Sequence, residues 1–218
     1  LFLIFFLEYG SEPWWAEQFK DQTIEEIILE FIRERPGALR RTLQSIGRSP
    51  VVVQRVVTQL SDDTLTTLMS KLFSDQFGII KKQTAVFEHI HRSQGFDGLS
   101  SVNEKMFKWL KVIEFFLYSK SASNDQDFVE EITIQTARSF NISLIRLLDY
   151  MRNLGDNFPN KEVGALGEMA SNIRRNPKLR RIEREILRAS VAQRGKEEVK
   201  EITEEEKVKL LTEFLQRG

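Results

Sequence analysis

The sequence contains no cysteine and only two histidines, so the residues that most often build metal centres and covalent catalysts are scarce. The lack of cysteine excludes disulfides, thiolate metal ligands and cysteine nucleophiles, and it is consistent with a reducing compartment. His89 and His91 are two positions apart and would project from different faces of a helix, so they cannot share a metal ion. We therefore expect surface histidines and no metal site.

The sequence also lacks other familiar catalytic patterns. It has no Gly-x-Ser-x-Gly elbow and no glycine-rich phosphate loop, and the Gly95–Gly98 stretch lacks the lysine and the strand-then-helix context of such a loop. Carboxylates lie on polar helix faces, where we expect solvated side chains; examples are Glu25, Glu26, Glu30, Glu130 and Glu131. We predict no catalytic residue, no cofactor and no enzymatic activity.

Neither sign of charge is in excess, and the sequence has no apolar run of membrane-spanning length. The 32 basic and 32 acidic residues cancel, which argues against binding nucleic acid over the whole surface and fits self-association or a protein partner. The apolar run Leu1–Leu7 ends at Glu8, whereas a membrane span needs about 20 apolar residues. We predict no membrane span. Because Leu1 replaces the usual methionine, we expect a fragment or a processed chain that begins at the end of a helix.

What the sequence does contain is helical periodicity. Thr23 and Glu26 form a capping-box pair, and Pro36 marks the end of the helix that follows them. Between them, apolar residues recur at the spacing of one helix face: Ile24, Ile27, Ile28, Phe31 and Ile32. Similar patterns recur along the chain, and strand signals are nearly absent. The predicted fold class is all-α, an irregular array of short helical hairpins followed by longer helices.

Composition divides the chain into four predicted units. Residues 1–20 are an aromatic corner that ends an upstream helix, and residues 21–155 are a helical domain with its best linker candidate at 119–124. Residues 156–195 are predicted to be a loop and a basic helix, and residues 196–218 a charged C-terminal helix. We expect these last two units to have little core face and to pack on something outside the chain.

The basic segment within residues 172–195 is a candidate electrostatic interaction patch. Its basic residues are accompanied by only two acidic ones, and the candidates are Arg174, Arg175, Lys178, Arg180, Arg181, Arg184 and Arg188. One interpretation is a contact with nucleic acid or phosphate. The other is pairing with an acidic surface, such as the glutamates of residues 197–206. No aromatic side chain is interleaved to stack bases, so we favour the acidic partner.

The corner formed by residues 10–16 is the most specific motif. Gly10 fits the C-cap of the preceding helix, Pro13 presets a turn, and Trp14 and Trp15 follow. The two tryptophans can be a packed corner that wedges two helices, or an exposed anchor for a partner. We expect them to be buried.

The string from Phe6 to Ala16 resembles the Leu-x-x-x-Gly-x-Leu-Pro-Trp-Trp-Ala signature of tape-measure proteins of bacterial contractile injection systems, which are phage-tail-like particles. Glu12 stands where that family usually has leucine. The stretch 55–61, Arg-Val-Val-Thr-Gln-Leu-Ser, is similar to a second family pattern, Arg-Leu-Val-x-Gln-Leu-Ser. The resemblance covers residues 5–72.

This resemblance implies a structural role in assembly and no catalytic residues. Such proteins are thought to set tube length and to associate with the spike, hub and inner tube, so the partners would be those components or further copies of the chain. They are long proteins, and 218 residues would be an internal piece. The expected location is the cytoplasm during assembly and then a released or membrane-anchored particle. The alternatives are a helical adaptor of an unrelated system and a nucleic-acid-binding helical protein.

Overall fold

The structure is a computed structural model that describes residues 2–11, 13–15, 17, 22–47, 49–93, 96, 99, 102–118, 124–157 and 161–192. Across these residues the chain is helical and contains no strand, which confirms the all-α prediction. Short helices come first and longer ones follow.

Eleven α-helices can be labelled in this part of the chain. They are α1 (Phe2–Tyr9), α2 (Ile24–Glu34), α3 (Pro36–Ile46), α4 (Pro50–Gln59), α5 (Asp62–Leu72), α6 (Phe77–Arg92), α7 (Glu104–Tyr118), α8 (Asp125–Ser139), α9 (Leu144–Asn157), α10 (Lys161–Arg174) and α11 (179–192). A 3₁₀ turn, Ser74–Gln76, joins α5 to α6.

The starts of the short helices follow local rules. The Thr23 hydroxyl accepts from the Glu26 backbone N–H at 3.2 Å, and the Glu26 carboxylate accepts from the Thr23 N–H at 2.7 Å, which confirms the predicted capping box. Pro36 and Pro50 are the first residues of α3 and α4, where the missing N–H costs nothing. These signals set where the short, closely spaced helices between residues 23 and 72 begin.

Helix α7 lies at the centre of the core and packs against α4, α6 and α8. Phe107 and Phe116 of α7 are buried. The Phe107 ring lies 5.3 Å from that of Phe87 on α6, and Phe116 lies 5.3 Å from Phe128 on α8. Aromatic contacts of this kind join the longer helices α6, α7 and α8 to one another.

The prediction of a loop at the start of residues 156–195 is wrong for the part of that stretch which the structure describes. Helix α9 extends to Asn157 and α10 begins at Lys161. A Cβ added to Gly167 would lie 3.0 Å from the Gly155 Cα and 3.3 Å from the Arg152 carbonyl, so this glycine lets the two helices approach closely. Gly155 and Gly167 thus serve helix packing.

The expectation that the basic helix packs outside the chain is also wrong. Leu179 and Ile186 of α11 are buried in the same apolar core that begins at Leu3. Several other predictions lie outside the described residues: the linker candidate apart from Asn124, the Gly95–Gly98 turn apart from Phe96, and the helix over 196–218. The division into four units stays a prediction.

Candidate protein-interaction surface

The aromatic corner begins where α1 ends. Gly10 has a φ of 77°, in the left-handed region, and its N–H donates to the Phe6 carbonyl at 2.8 Å. This is the helix-ending role predicted for Gly10. The Arg55 guanidinium of α4 covers the glycine and donates a 2.7 Å hydrogen bond to the Leu7 carbonyl. A cation therefore sits at the negative end of the helix dipole, where it is stabilising.

The tryptophan pair beyond Gly10 faces solvent. The side chain of Trp14 is 92% exposed and that of Trp15 is 40% exposed, whereas Pro13 between them and the helix is buried. The prediction of a buried corner is therefore wrong. The two indoles were expected to fill the corner, but the turn packs the ring of Pro13 against the protein instead.

Further exposed apolar side chains lie on helices α1 and α4. Tyr9, the last residue of α1, is 65% exposed, and its ring lies 4.6 Å from that of Phe5. Val51 is exposed and lies one turn before Arg55 on α4. We call Tyr9, Trp14 and Trp15 the aromatic surface. Large exposed apolar groups of this kind are typical of interaction sites.

A buried lysine joins helices α5, α6 and α7 through ion pairs. The Lys108 ammonium of α7 binds the Asp62 carboxylate of α5 and lies 3.3 Å from a Glu88 oxygen of α6. The Trp109 indole N–H donates to the other Asp62 oxygen at 2.8 Å. Burial alone would lower the pKa of Lys108, but the hydrogen bond and charge of Asp62, together with Glu88, outweigh it and raise that pKa.

Two further polar contacts hold the connection between α4 and α5. The Lys105 ammonium donates to the Leu60 carbonyl at 2.9 Å, and the Glu25 carboxylate accepts from the Ser61 N–H at 2.9 Å. Hydrogen bonds from the Ser61 hydroxyl and from Thr64 and the Ser61 backbone lower the pKa of Glu25. Glu25 was predicted to be a solvated surface residue, but it bridges α2 to the start of α5.

The basic candidates lie mainly on the outer side of α11. Arg180, Arg184 and Arg188 recur every four residues and are exposed, and no ion pair involves them among the described residues. The other candidates differ: Arg174 lies 3.3 Å from Asp149, Arg181 lies 3.0 Å from Glu185, and Arg175 and Lys178 are exposed before the helix.

Glu183 faces the opposite way and was missed. Its buried carboxylate accepts hydrogen bonds from the Ser143 hydroxyl at 2.6 Å and the Leu144 N–H at 2.8 Å, which places a negative charge at the start of α9. One signal could have found it. Glu183 shares the helical spacing of the apolar residues Leu179 and Ile186, whereas the arginines do not.

The described residues contain no cluster of three potential metal ligands. His91 is engaged by the Val102 carbonyl at 2.7 Å, and the His89 ring lies 6.2 Å from that of Tyr150. The helices in this part of the chain are also too short or too polar to cross a membrane.

A family model for contractile injection system tape measure proteins matches residues 2–217. The chain belongs to this family. The match confirms the resemblance first seen over residues 5–72 and extends it across nearly the whole chain. Searches of curated proteins and of solved structures returned no match.

Membership of the tape measure family gives the chain a structural role in assembling a contractile injection system. The family is a structural one whose members interact with other tail components. A role in an unrelated adaptor is therefore not supported. The aromatic surface and the exposed arginines Arg180, Arg184 and Arg188 of α11 are sets of side chains that such contacts could use.

Proposed function

We propose that this tape measure chain sets tube length and docks onto a protein of the tube, hub or spike through the aromatic surface. The observation that carries this proposal is the 92% exposure of Trp14, together with the exposure of Trp15 and Tyr9. Tryptophan is enriched among residues that dominate binding energy. This high exposure means that packing among the described residues does not cover the Trp14 side chain.

Burial of an exposed indole by a partner is favourable in free energy. Burying a tryptophan removes about 150–250 Å² from water, at roughly 25 cal/mol per Å². Covering Trp14 alone would thus yield roughly 4–6 kcal/mol before the costs of association. A partner surface that takes both indoles would gain more.

The geometry also favours a defined direction of approach. Gly10, Arg55 and the Leu7 carbonyl fix how the chain leaves α1, so the tryptophans are presented from an anchored turn. Preorganisation of this kind lowers the cost of ordering side chains on binding. Glu12 and Ala16 of the motif lie outside the described residues.

The proposed location follows the proposed role. The chain would be in the cytoplasm while particles assemble and would then stay with the released or membrane-anchored particle. No enzymatic activity is proposed, and no cofactor is invoked.

Deletion of the encoding gene tests the role in length control. We expect particles to be absent or to have tubes of scattered length, and we expect a plasmid copy of the gene to restore a narrow length distribution. Electron microscopy of purified particles measures both. Particles of normal, uniform length in the deletion strain would contradict the proposal.

A further inference from the structure

Helix α11 presents a row of arginines to solvent. Arg180, Arg184 and Arg188 are exposed and four residues apart, so they follow one another along one side of the helix. No ion pair among the described residues involves them. Leu187 is 46% exposed and Val191 is 71% exposed, and both border the arginines. We call the three arginines the basic row, which is a positively charged strip with an apolar edge.

Helix α2 carries a row of the opposite charge at the same spacing. Glu26, Glu30 and Glu34 are exposed and four residues apart, so they too follow one side of their helix. We call them the acidic row. Leu29 is 38% exposed and borders this row, and Arg33 is the one basic residue of the helix. Glu26 also closes the capping box, whereas Glu30 and Glu34 form no ion pair with other described residues. The acidic row is thus open to a cationic partner.

The two rows match in pattern as well as in charge. Residues 26–30 read Glu-x-x-Leu-Glu, and residues 184–188 read Arg-x-x-Leu-Arg. Each leucine therefore lies on the same side of its row when the helices are viewed from their N-termini. Two helices that face each other bring these sides together when they run antiparallel and hold them apart when they run parallel. An antiparallel pair thus joins opposite charges and also joins the two apolar edges.

We propose that the acidic row of one copy of the chain docks antiparallel on the basic row of a second copy. If Glu30 lies beside Arg184, the equal rise of both helices, about 1.5 Å per residue, places the other two glutamates beside the other two arginines. Leu29 then lies roughly 3 Å along the axis from Leu187. Arg33 lies beside the last glutamate, so the central and first pairs carry most of the attraction.

The chain itself supplies the chemistry that the basic row requires. Its 32 basic and 32 acidic residues cancel, so two copies approach without net repulsion. Single exposed ion pairs are weak, and three pairs in register with an apolar edge give a contact of low affinity. The contact joins different surfaces of the two copies and leaves one row of each free, so further copies can add head to tail. It does not use the aromatic surface.

Sedimentation velocity of the purified 218-residue chain tests the contact. We expect the average mass to rise above that of a 25.5 kDa monomer at about 20 mM salt and to fall towards it at about 500 mM, because salt screens exposed charges. Glu30→Arg with Glu34→Arg should weaken the low-salt association at least about tenfold, and so should Arg180→Glu with Arg184→Glu, because like charges then meet. A parent chain that stays monomeric at low salt overturns the proposal.

A mixture of the two double variants separates row-to-row docking from a general effect of charge. Each variant carries the charges that the other lacks, so the mixture should recover the low-salt association, and a mixture that stays monomeric overturns the register. Lys71→Glu with Lys81→Glu is the matched control, because it changes the net charge equally at exposed positions of α5 and α6. It should associate as the parent chain does.

The remaining outcomes count against the second copy. Loss of association in the Lys71→Glu and Lys81→Glu control would show that net charge alone governs it. Association that survives both row variants would place the contact on another surface. If the parent chain is monomeric but binds a labelled DNA duplex at low salt, the basic row is assigned to nucleic acid. All substituted positions are exposed, so the variants should keep the parent's urea unfolding midpoint.

Discussion

The Arg55 guanidinium donates a hydrogen bond to the carbonyl of Leu7, a residue that lies 48 positions earlier in the chain, at a distance of 2.7 Å. Arg55 belongs to α4, and Leu7 belongs to the last turn of α1. The contact caps a helix end with a positive charge and places the guanidinium against Gly10. The direction in which the tryptophan pair leaves α1 therefore depends on a residue of another helix.

Substitution Gly10→Ala should destabilise the fold. A Cβ at this position would lie 2.9 Å from the Arg55 Cζ, and the positive φ would be strained. We expect the free energy of unfolding in urea to fall by about 1–2 kcal/mol. Gly78→Ala is the matched control, because nothing lies within 4 Å of a Cβ there. That helical substitution should stabilise by about 0.5–1 kcal/mol. Equal effects of the two substitutions would show that the Gly10 geometry is not required.

Substitution Glu183→Gln should detach α11 from the start of α9. The amide keeps the shape of the side chain but removes the charge that accepts from Ser143 and Leu144. We expect a loss of about 1.5–3 kcal/mol in urea unfolding. Glu185→Gln removes an exposed carboxylate on the same helix and should change stability by less than about 0.5 kcal/mol. A tolerated Glu183→Gln would contradict the anchoring role.

Substitution Lys108→Met should weaken the junction of α5, α6 and α7. It leaves the Asp62 and Glu88 carboxylates without their shared cation, at a cost of about 1–3 kcal/mol. Lys81→Met, at an exposed position of α6, is the control and should be close to neutral. If both variants unfold at the same urea concentration as the parent chain, Lys108 contributes nothing.

The same lysine gives a pH dependence of defined sign. Its pKa is raised in the folded chain from the ordinary value of 10.5, so its contribution is fully present below pH 10.5. The contribution is lost as pH rises through the folded-state pKa. The stability difference between the parent chain and Lys108→Met should thus be constant from neutral pH to about pH 10 and shrink above it. A difference that grows in alkali would contradict this sign.

Local signals in the sequence predict the helices well. The Thr23–Glu26 capping box, Pro36 and Gly10 each act on residues that are close to them in sequence. The helix ends that they set can therefore be predicted without knowledge of the tertiary structure. The glycines at 155 and 167 could not be interpreted in this way. Their role depends on how closely α9 and α10 approach, and that is a property of the packed structure.

The sequence singled out the two tryptophans but did not predict that their side chains are exposed. The motif marked Trp14 and Trp15, yet whether they are buried depends on how the neighbouring Pro13 packs against the protein, which is a tertiary property. The ion pair of Lys108 was missed for a similar reason. Its partners Asp62 and Glu88 come from two other helices, and single-helix periodicity carries no information about them.

The tube length of particles that carry Trp14→Ala and Trp15→Ala together tests most sharply whether the aromatic surface docks the chain. Phe31→Ala removes an exposed aromatic of α2, whose 39% exposure is close to that of Trp15, and serves as the control. Because the indoles face solvent, the double variant should keep the unfolding midpoint of the parent chain. Electron microscopy should then show no particles, or tubes of scattered length, for the tryptophan variant and normal particles for Phe31→Ala. A folded tryptophan variant that yields tubes of normal, uniform length would contradict the claim that this surface docks the chain.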